Sequence, residues 1–238
     1  MVEIRADVFT IGQNGIITGV GAGYGARSGT GWSGISDVRA SASHGGGTAA
    51  SWPGTIYGSM FQPATMGSGG YAGAGGAALH LDADKLVLNG QINMNGAASF
   101  DGAGAGGSAY ITTRLLEGST SNAKITARGG SATGIGNHQY YGYYTYYHPH
   151  YGGSAGGGGG RIALYCDEST HVQTFKDFKG VPLMEVFGGD SGGGSTDRRG
   201  GSGTIFVDCG TAHRALVIDG NGLVRTTQVV DDGTTSYS

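Results

Sequence analysis

The chain has 238 residues, 52 of them glycine and only 13% charged, with a formal net charge of -3. Leu, Ile, Val and Phe together number 43, close to the level at which chains stay disordered, but disorder also needs a high net charge, which is lacking. The acidic balance argues against a nucleic-acid partner, and no run approaches the roughly 20 apolar residues of a membrane span.

In chain order, the elements are copies of one unit: a glycine cluster, a short alternating strand, a spacer and a second short strand. A loose copy opens the chain, VEIRADVFTIGQNGIITGVGAGY at 2–24, with Val2, Ile4, Ala6 and Val8 expected on one face. The clearest copy, GGAALHLDADKLVLNGQINMNG at 75–96, pairs Leu79 and Leu81, then Leu86 and Leu88, then Ile92 and Met94. GGSAYITTRLLEGSTSNAKITARGG follows at 106–130, then GGRIALYCDEST with PLMEVFGG within 159–189, and GSGTIFVDCGTAHRALVIDGNG at 201–222. Self-similarity of this kind reads as units that bury their apolar faces only against their neighbours. Asn89-Gly90 allows a hairpin, but recurrence of the same strand pair favours stacked turns of chain. Helix is nearly excluded; only 170–180 is expected to make a turn or two.

Glycine sets an energetic condition on this reading. Each one loses roughly 0.5–1 kcal/mol relative to alanine in a regular element. Dozens of them are tolerable only where a side chain would obstruct close backbone approach, so the glycine loops are expected to be tightly packed on one another. The expected fold is all-β, a single glycine-rich right-handed parallel β-helix (solenoid) with long inserted loops, forming one domain over 1–238. A sandwich of polyglycine helices is set aside, because alternating β-branched strands separate the glycine runs.

Three insertions interrupt the repeat and are where function is expected. The first, 25–70, holds Trp32, His44, Trp52-Pro53 and YGSMFQPATMGSGG. The second, 134–158, carries seven of the 13 tyrosines. Its Tyr140, Tyr141, Tyr143, Tyr144, Tyr146, Tyr147, His148, His150 and Tyr151, with Trp32 and Trp52, form a candidate contact surface, since Tyr gives rigid amphipathic area. The other reading is an ordered loop that covers the strands. His138, His148 and His150 lack an accompanying carboxylate or thiol, so no metal or cofactor is expected. The third insertion, 188–203, carries Arg198-Arg199, read as a solvated charge pair.

Cys166 and Cys209 end equivalent strands, GRIALYC and GTIFVDC. On neighbouring parallel strands they would lie about 4.8 Å apart, within reach of a disulfide; two half-buried free thiols are the alternative. Met1 leads directly into Val2-Glu3-Ile4 with no apolar leader. The chain is therefore expected to be a processed or excised segment, or to lack a secretion signal.

A catalytic reading would need carboxylates converging on one face. Asp82 and Asp84 share a face by spacing but read as a strand running into a turn, and no acidic cleft is expected. No nucleophile elbow, phosphate loop or HExxH occurs, and DSGGG at 190–194 lacks the partners of a serine protease.

The succession YGSMFQPATMGSGG, GGAALHLDADKLVLNGQINMNG, GGSAYITT, GGGGGRIALYC, GGSGTIFVDCGTAHRALVIDGNG resembles the glycine-rich β-solenoid segments of secreted and cell-surface adhesin-like and extracellular matrix-like proteins, over about residues 2–222. The resemblance implies a right-handed parallel β-helix with a structural or adhesive role outside the cell, and no catalytic residues. The expected function is thus a non-enzymatic structural protein, a subunit or segment of an extracellular filament, matrix or surface layer that associates with itself. A carbohydrate-binding surface adhesin is the alternative, and a polysaccharide-degrading enzyme a distant third. Partners are expected to be copies of the chain, and glycans in the alternative.

Overall fold

The computed structural model of the chain describes residues 1–37, 39–47, 54–118, 122–134, 153–169, 183–194, 198–209 and 214–218. Its strands are β1 (Val2–Ile11), β2 (Ile16–Thr18), β3 (Ala78–Leu88), β4 (Gln91–Asn93), β5 (Ser108–Glu117), β6 (Lys124–Thr126), β7 (Arg161–Ser169), β8 (Leu183–Glu185), β9 (Thr204–Cys209) and β10 (Arg214–Val217). They form a larger sheet in the order β1-β3-β5-β7-β9-β10 and a smaller one in the order β2-β4-β6-β8. Neighbours are parallel except for β10, which runs antiparallel along β9.

The expected single right-handed parallel β-helix is therefore corrected. The larger sheet mixes parallel and antiparallel pairing, because β10 turns back on β9. The glycine runs, given to loops in that expectation, form a hydrogen-bonded body of their own. Asn89-Gly90 is not a hairpin turn either: it carries the chain from β3 in one sheet to β4 in the other.

Alternation decides which side chains meet between the sheets. Leu79, Leu81, Ala83, Leu86 and Leu88 of β3 are at most 3% exposed. They pack with Ile92, Met94, Ala109, Ile111, Leu116, Ile125, Ile162 and Leu164 in the main core. Between Ala83 and Leu86 the period slips by one residue. Asp84 is skipped in the ladder with β1, as is Asp7 opposite, and Arg114 and Asp167 are skipped at the same level of β5 and β7. This stacked break sends two successive residues outward. It also corrects the expected face of β1, since Ile4 and Phe9 pack on the core whereas Val8 is 61% exposed.

The glycine segments pack as a hydrogen-bonded layer. A β-strand has two hydrogen-bonding neighbours, but the segment 155–160 has five among the described residues. It donates from Ala155 to Arg39, Gly156 to Arg198, Gly157 to Gly130, Gly158 to Ala42, Gly159 to Gly201 and Gly160 to Ala127, and its Gly157 and Gly159 carbonyls accept from Gly189 and Gly46. It also accepts from Ala103 and Gly106 of the segment 102–107, which itself bonds to Ser68, Met94 and Ala97. Bonding in so many directions requires backbones closer than any Cβ allows, as in polyglycine and collagen. Alanine is admitted only where its methyl finds a gap, and Ala103, Ala105 and Ala155 are buried there.

Candidate functional site

Two places on the described molecule carry features beyond those that hold it together: the outer face of the larger sheet and the β1 end. The outer face is built from the residues that alternate away from the core. At the first level Ala78, Ser108, Arg161 and Thr204 are in register, at the next His80, Tyr110, Ala163 and Phe206, and at the third Asp82, Thr112, Tyr165 and Asp208.

The first two levels are covered by the insertion 25–70. Met60 and Phe61 pack on Ala163 and Phe206 in a second apolar cluster, flanked by Tyr110 and Tyr165. The Tyr165 hydroxyl donates to the Phe61 carbonyl at 3.0 Å, and Phe61 meets Phe206 edge to face at 4.9 Å. At the top of this cover Arg161 is wholly buried, donating from Nε to the Tyr57 carbonyl and from Nη1 to Thr204 Oγ1, both at 3.0 Å. Its Nη2 has no hydrogen-bond partner among the described residues. Burial pulls the guanidinium pKa down to about 10, leaving it charged at neutral pH.

His44 sits beside this cation, also wholly buried. Its Nδ1 lies 2.7 Å from the Gly106 carbonyl and its Nε2 2.8 Å from Thr65 Oγ1. A carbonyl only accepts, so Nδ1 carries the proton and neutral Nε2 accepts from the Thr65 hydroxyl. Burial, then repulsion from Arg161, pushes the His44 pKa down to about 3. Gly58, at φ 83, passes so close that a Cβ would lie 2.5 Å from Thr65 Oγ1 and 3.1 Å from His44 Nε2.

This node has a pH consequence. The unfolded histidine titrates near 6.5 and the folded one near 3, so between those values the unfolded chain binds a proton that the folded chain refuses. Stability is full above about pH 6.5 and falls as pH drops toward 3, by on the order of 4 kcal/mol from this group. Urea denaturation between pH 7 and 4 should therefore show a steeper decline for the native chain than for His44→Gln. Equal slopes would mean that His44 does not contribute.

Below the cover, the stacked break opens a shallow groove of about 620 Å³, lined by Asp82, Asp84, Thr112, Arg114, Tyr165, Asp167 and Asp208. The expected turn after Asp82 is corrected, because β3 continues to Leu88 with both carboxylates facing out. Interleaved donors make four stacked aspartates tolerable. Thr112 donates to Asp82 at 2.9 Å, Arg114 holds Asp84 through two nitrogens at 2.8 and 3.2 Å, and Arg214 of β10 reaches Asp208 at 2.7 Å. Arg114 keeps the Asp84 carboxyl below its usual range, the opposite of what a general acid for glycoside hydrolysis requires. Beside the groove His80 stacks on Tyr110 at 4.6 Å.

The β1 end is an open sheet edge among the described residues. Ile4, Phe9 and Ile17 face the core but are only partly buried, whereas Leu81, Leu86 and Ile92, their register partners one strand inward, are completely buried. Val2, Val8 and Ile16 at this end are 58–61% exposed. Among the described residues no strand pairs with the outer edge of β1 or β2. At the opposite end β10 occupies the edge of β9.

Tyr140, Tyr141, Tyr143, Tyr144, Tyr146, Tyr147, His148, His150, Tyr151 and Trp52, with His138 and 170–180, lie outside the described residues. Trp32 is half-buried, its backbone N–H donating to the Gly29 carbonyl and its backbone bridging Ala42. Cys166 and Cys209, in register on β7 and β9, are joined by a disulfide with Cα atoms 4.3 Å apart. Arg198 and Arg199 do not form a simple solvated pair, since Arg198 donates to the Gly153 carbonyl at 2.8 Å and Arg199 lies 3.3 Å from Asp190. Sequence reasoning missed the Arg161 node. Its signal was an arginine at the strand level where the other copies carry Ala78, Ser108 and Thr204. Among the described residues no cluster of three or more His, Cys, Asp or Glu is placed to hold a metal, and no helix is long and apolar enough to cross a membrane. The chain matches no protein-family model, no curated protein and no solved structure.

Proposed function

We propose that this chain is a non-enzymatic structural protein that works outside the cell, as a subunit or segment of a filament, matrix or surface layer, and associates with copies of itself. The observation that carries this reading is the open β1 end. A core that is sealed at β3 lies half-exposed at β1, beside a ten-residue strand edge with no partner among the described residues. Unpaired edges template further pairing unless they are blunted. Burying apolar area there yields about 25 cal/mol per Å², so completion by another chain is favoured. The disulfide supports an oxidising, extracellular setting.

The groove favours a second reading, glycan binding. Its carboxylates, guanidinium and hydroxyl can bond sugar hydroxyls, and Tyr165 supplies an aromatic edge. One sample decides between the two. Sedimentation velocity over a hundredfold concentration range, electron microscopy and a glycan array should give concentration-dependent assembly without glycan retention. A chain that stays monomeric throughout and is retained on glycans would replace the first reading with the second.

A further inference from the structure

We infer that the partner at the open end is a second copy bound head to head, with β1 pairing antiparallel to β1 of that copy about a two-fold axis at Ile4. This deepens the self-association reading and rests on it.

The charge pattern of β1 selects the register. Glu3 and Arg5 project outward and already touch, Arg5 Nη2 lying 2.6 Å from Glu3 Oε1. In an antiparallel pair, residues directly opposite share a face. With Ile4 opposite Ile4 of the second copy, Glu3 faces Arg5 of the second copy and Arg5 faces its Glu3. Four charges then alternate around the axis while the two isoleucines close the core beneath. Sliding Ile4 against Ala6 sets Arg5 against Arg5 and Glu3 against Asp7. Sliding it against Val2 sets Glu3 against Glu3. An odd slip would turn inward residues to solvent, and registers beyond Asp7 cross the break where the inward face changes. The head-to-head register is the one that satisfies both faces.

Among the described residues the far end does not offer an equivalent site. There the β9 edge is taken by β10 from Ile205 to Asp208, and β10 is only four residues long. A contact that uses the same patch on both chains is isologous and closes on itself. The basic unit is therefore a discrete dimer, and any longer filament needs a second, different contact.

Charge exchange tests this. Glu3→Arg places four cations around the axis and Arg5→Glu four anions, so each variant alone should dimerise at least about tenfold more weakly at low ionic strength. Their equimolar mixture should recover native affinity as a heterodimer, and the double exchange Glu3→Arg/Arg5→Glu should recover it as a homodimer. Unchanged thermal melting of each variant checks that the fold is intact. If the native chain associates but the single exchanges do not weaken it, or mixing fails to restore it, the head-to-head pairing is wrong and self-association stands. A native chain that remains monomeric at every concentration overturns both.

Discussion

Gly157→Ala should fail to fold at 25 °C, whereas Gly25→Ala should melt within a few degrees of the native chain. A Cβ at Gly157 would stand 1.9 Å from the Gly104 oxygen and 2.5 Å from its carbonyl carbon, both backbone atoms. No rotamer relieves that contact. The segment 102–107 cannot retreat, because Gly104 donates to Ala97 and accepts from Gly130. Gly157 itself donates to Gly130 and accepts from Gly189. Forced separation therefore breaks several buried backbone hydrogen bonds at once, each costing about 1–3 kcal/mol when left unmade, in addition to about 1–3 kcal/mol of overpacking. The sum, about 5 kcal/mol or more, rivals the whole stability of a typical domain. At Gly25 an added methyl would meet nothing within 4 Å. Circular dichroism melts of the two variants make the comparison. A Gly157→Ala chain as stable as the Gly25→Ala control would show that the glycine layer is not a close-packed body.

Replacing both cysteines by alanine should lower stability by about 4 kcal/mol. Cys166 and Cys209 are 43 residues apart in sequence, and closing a loop of that length in the unfolded chain accounts for about 4 kcal/mol. Both sulfurs are buried in the main core, against neighbours on β7 and β9. The bridge ties β7 to the last parallel strand, β9, on which β10 is laid, so its loss should loosen that end first. Urea denaturation of the native chain and the double variant, both without reductant, gives the difference, and hydrogen exchange should localise it to β9 and β10. A double variant with the native midpoint would remove the bridge from the account of stability.

The strand cores were legible because alternation is a local property. Leu79, Leu81, Leu86, Leu88, Ile92 and Met94 could be assigned to buried positions from spacing alone, and they are buried. The slip at Asp84 was not legible on β1, where Val8 looks as apolar as Ile4 in sequence. Only its register against Lys85 sends it outward. The groove was missed for the same reason. Asp82, Thr112, Tyr165 and Asp208 are distant in sequence and meet only because their strands stack in register. The Arg161 node was hidden because its partners, His44, Tyr57 and Thr65, come from the insertion that folds over the sheet.

By itself the sequence determined the order of the strands and, on β3 and β4, which residues face the core, since these follow from side-chain period and from where glycine falls. It also determined that the glycine runs must pack tightly, because their entropic cost admits no looser solution. The tertiary structure decided how the units join: the antiparallel return of β10, the many-sided hydrogen bonding of the glycine segments and the exposed β1 end. Those depend on which backbones meet across long separations. A backbone without side chains carries no local signal of its neighbours, so it reads alike whether it bonds to two segments or to five.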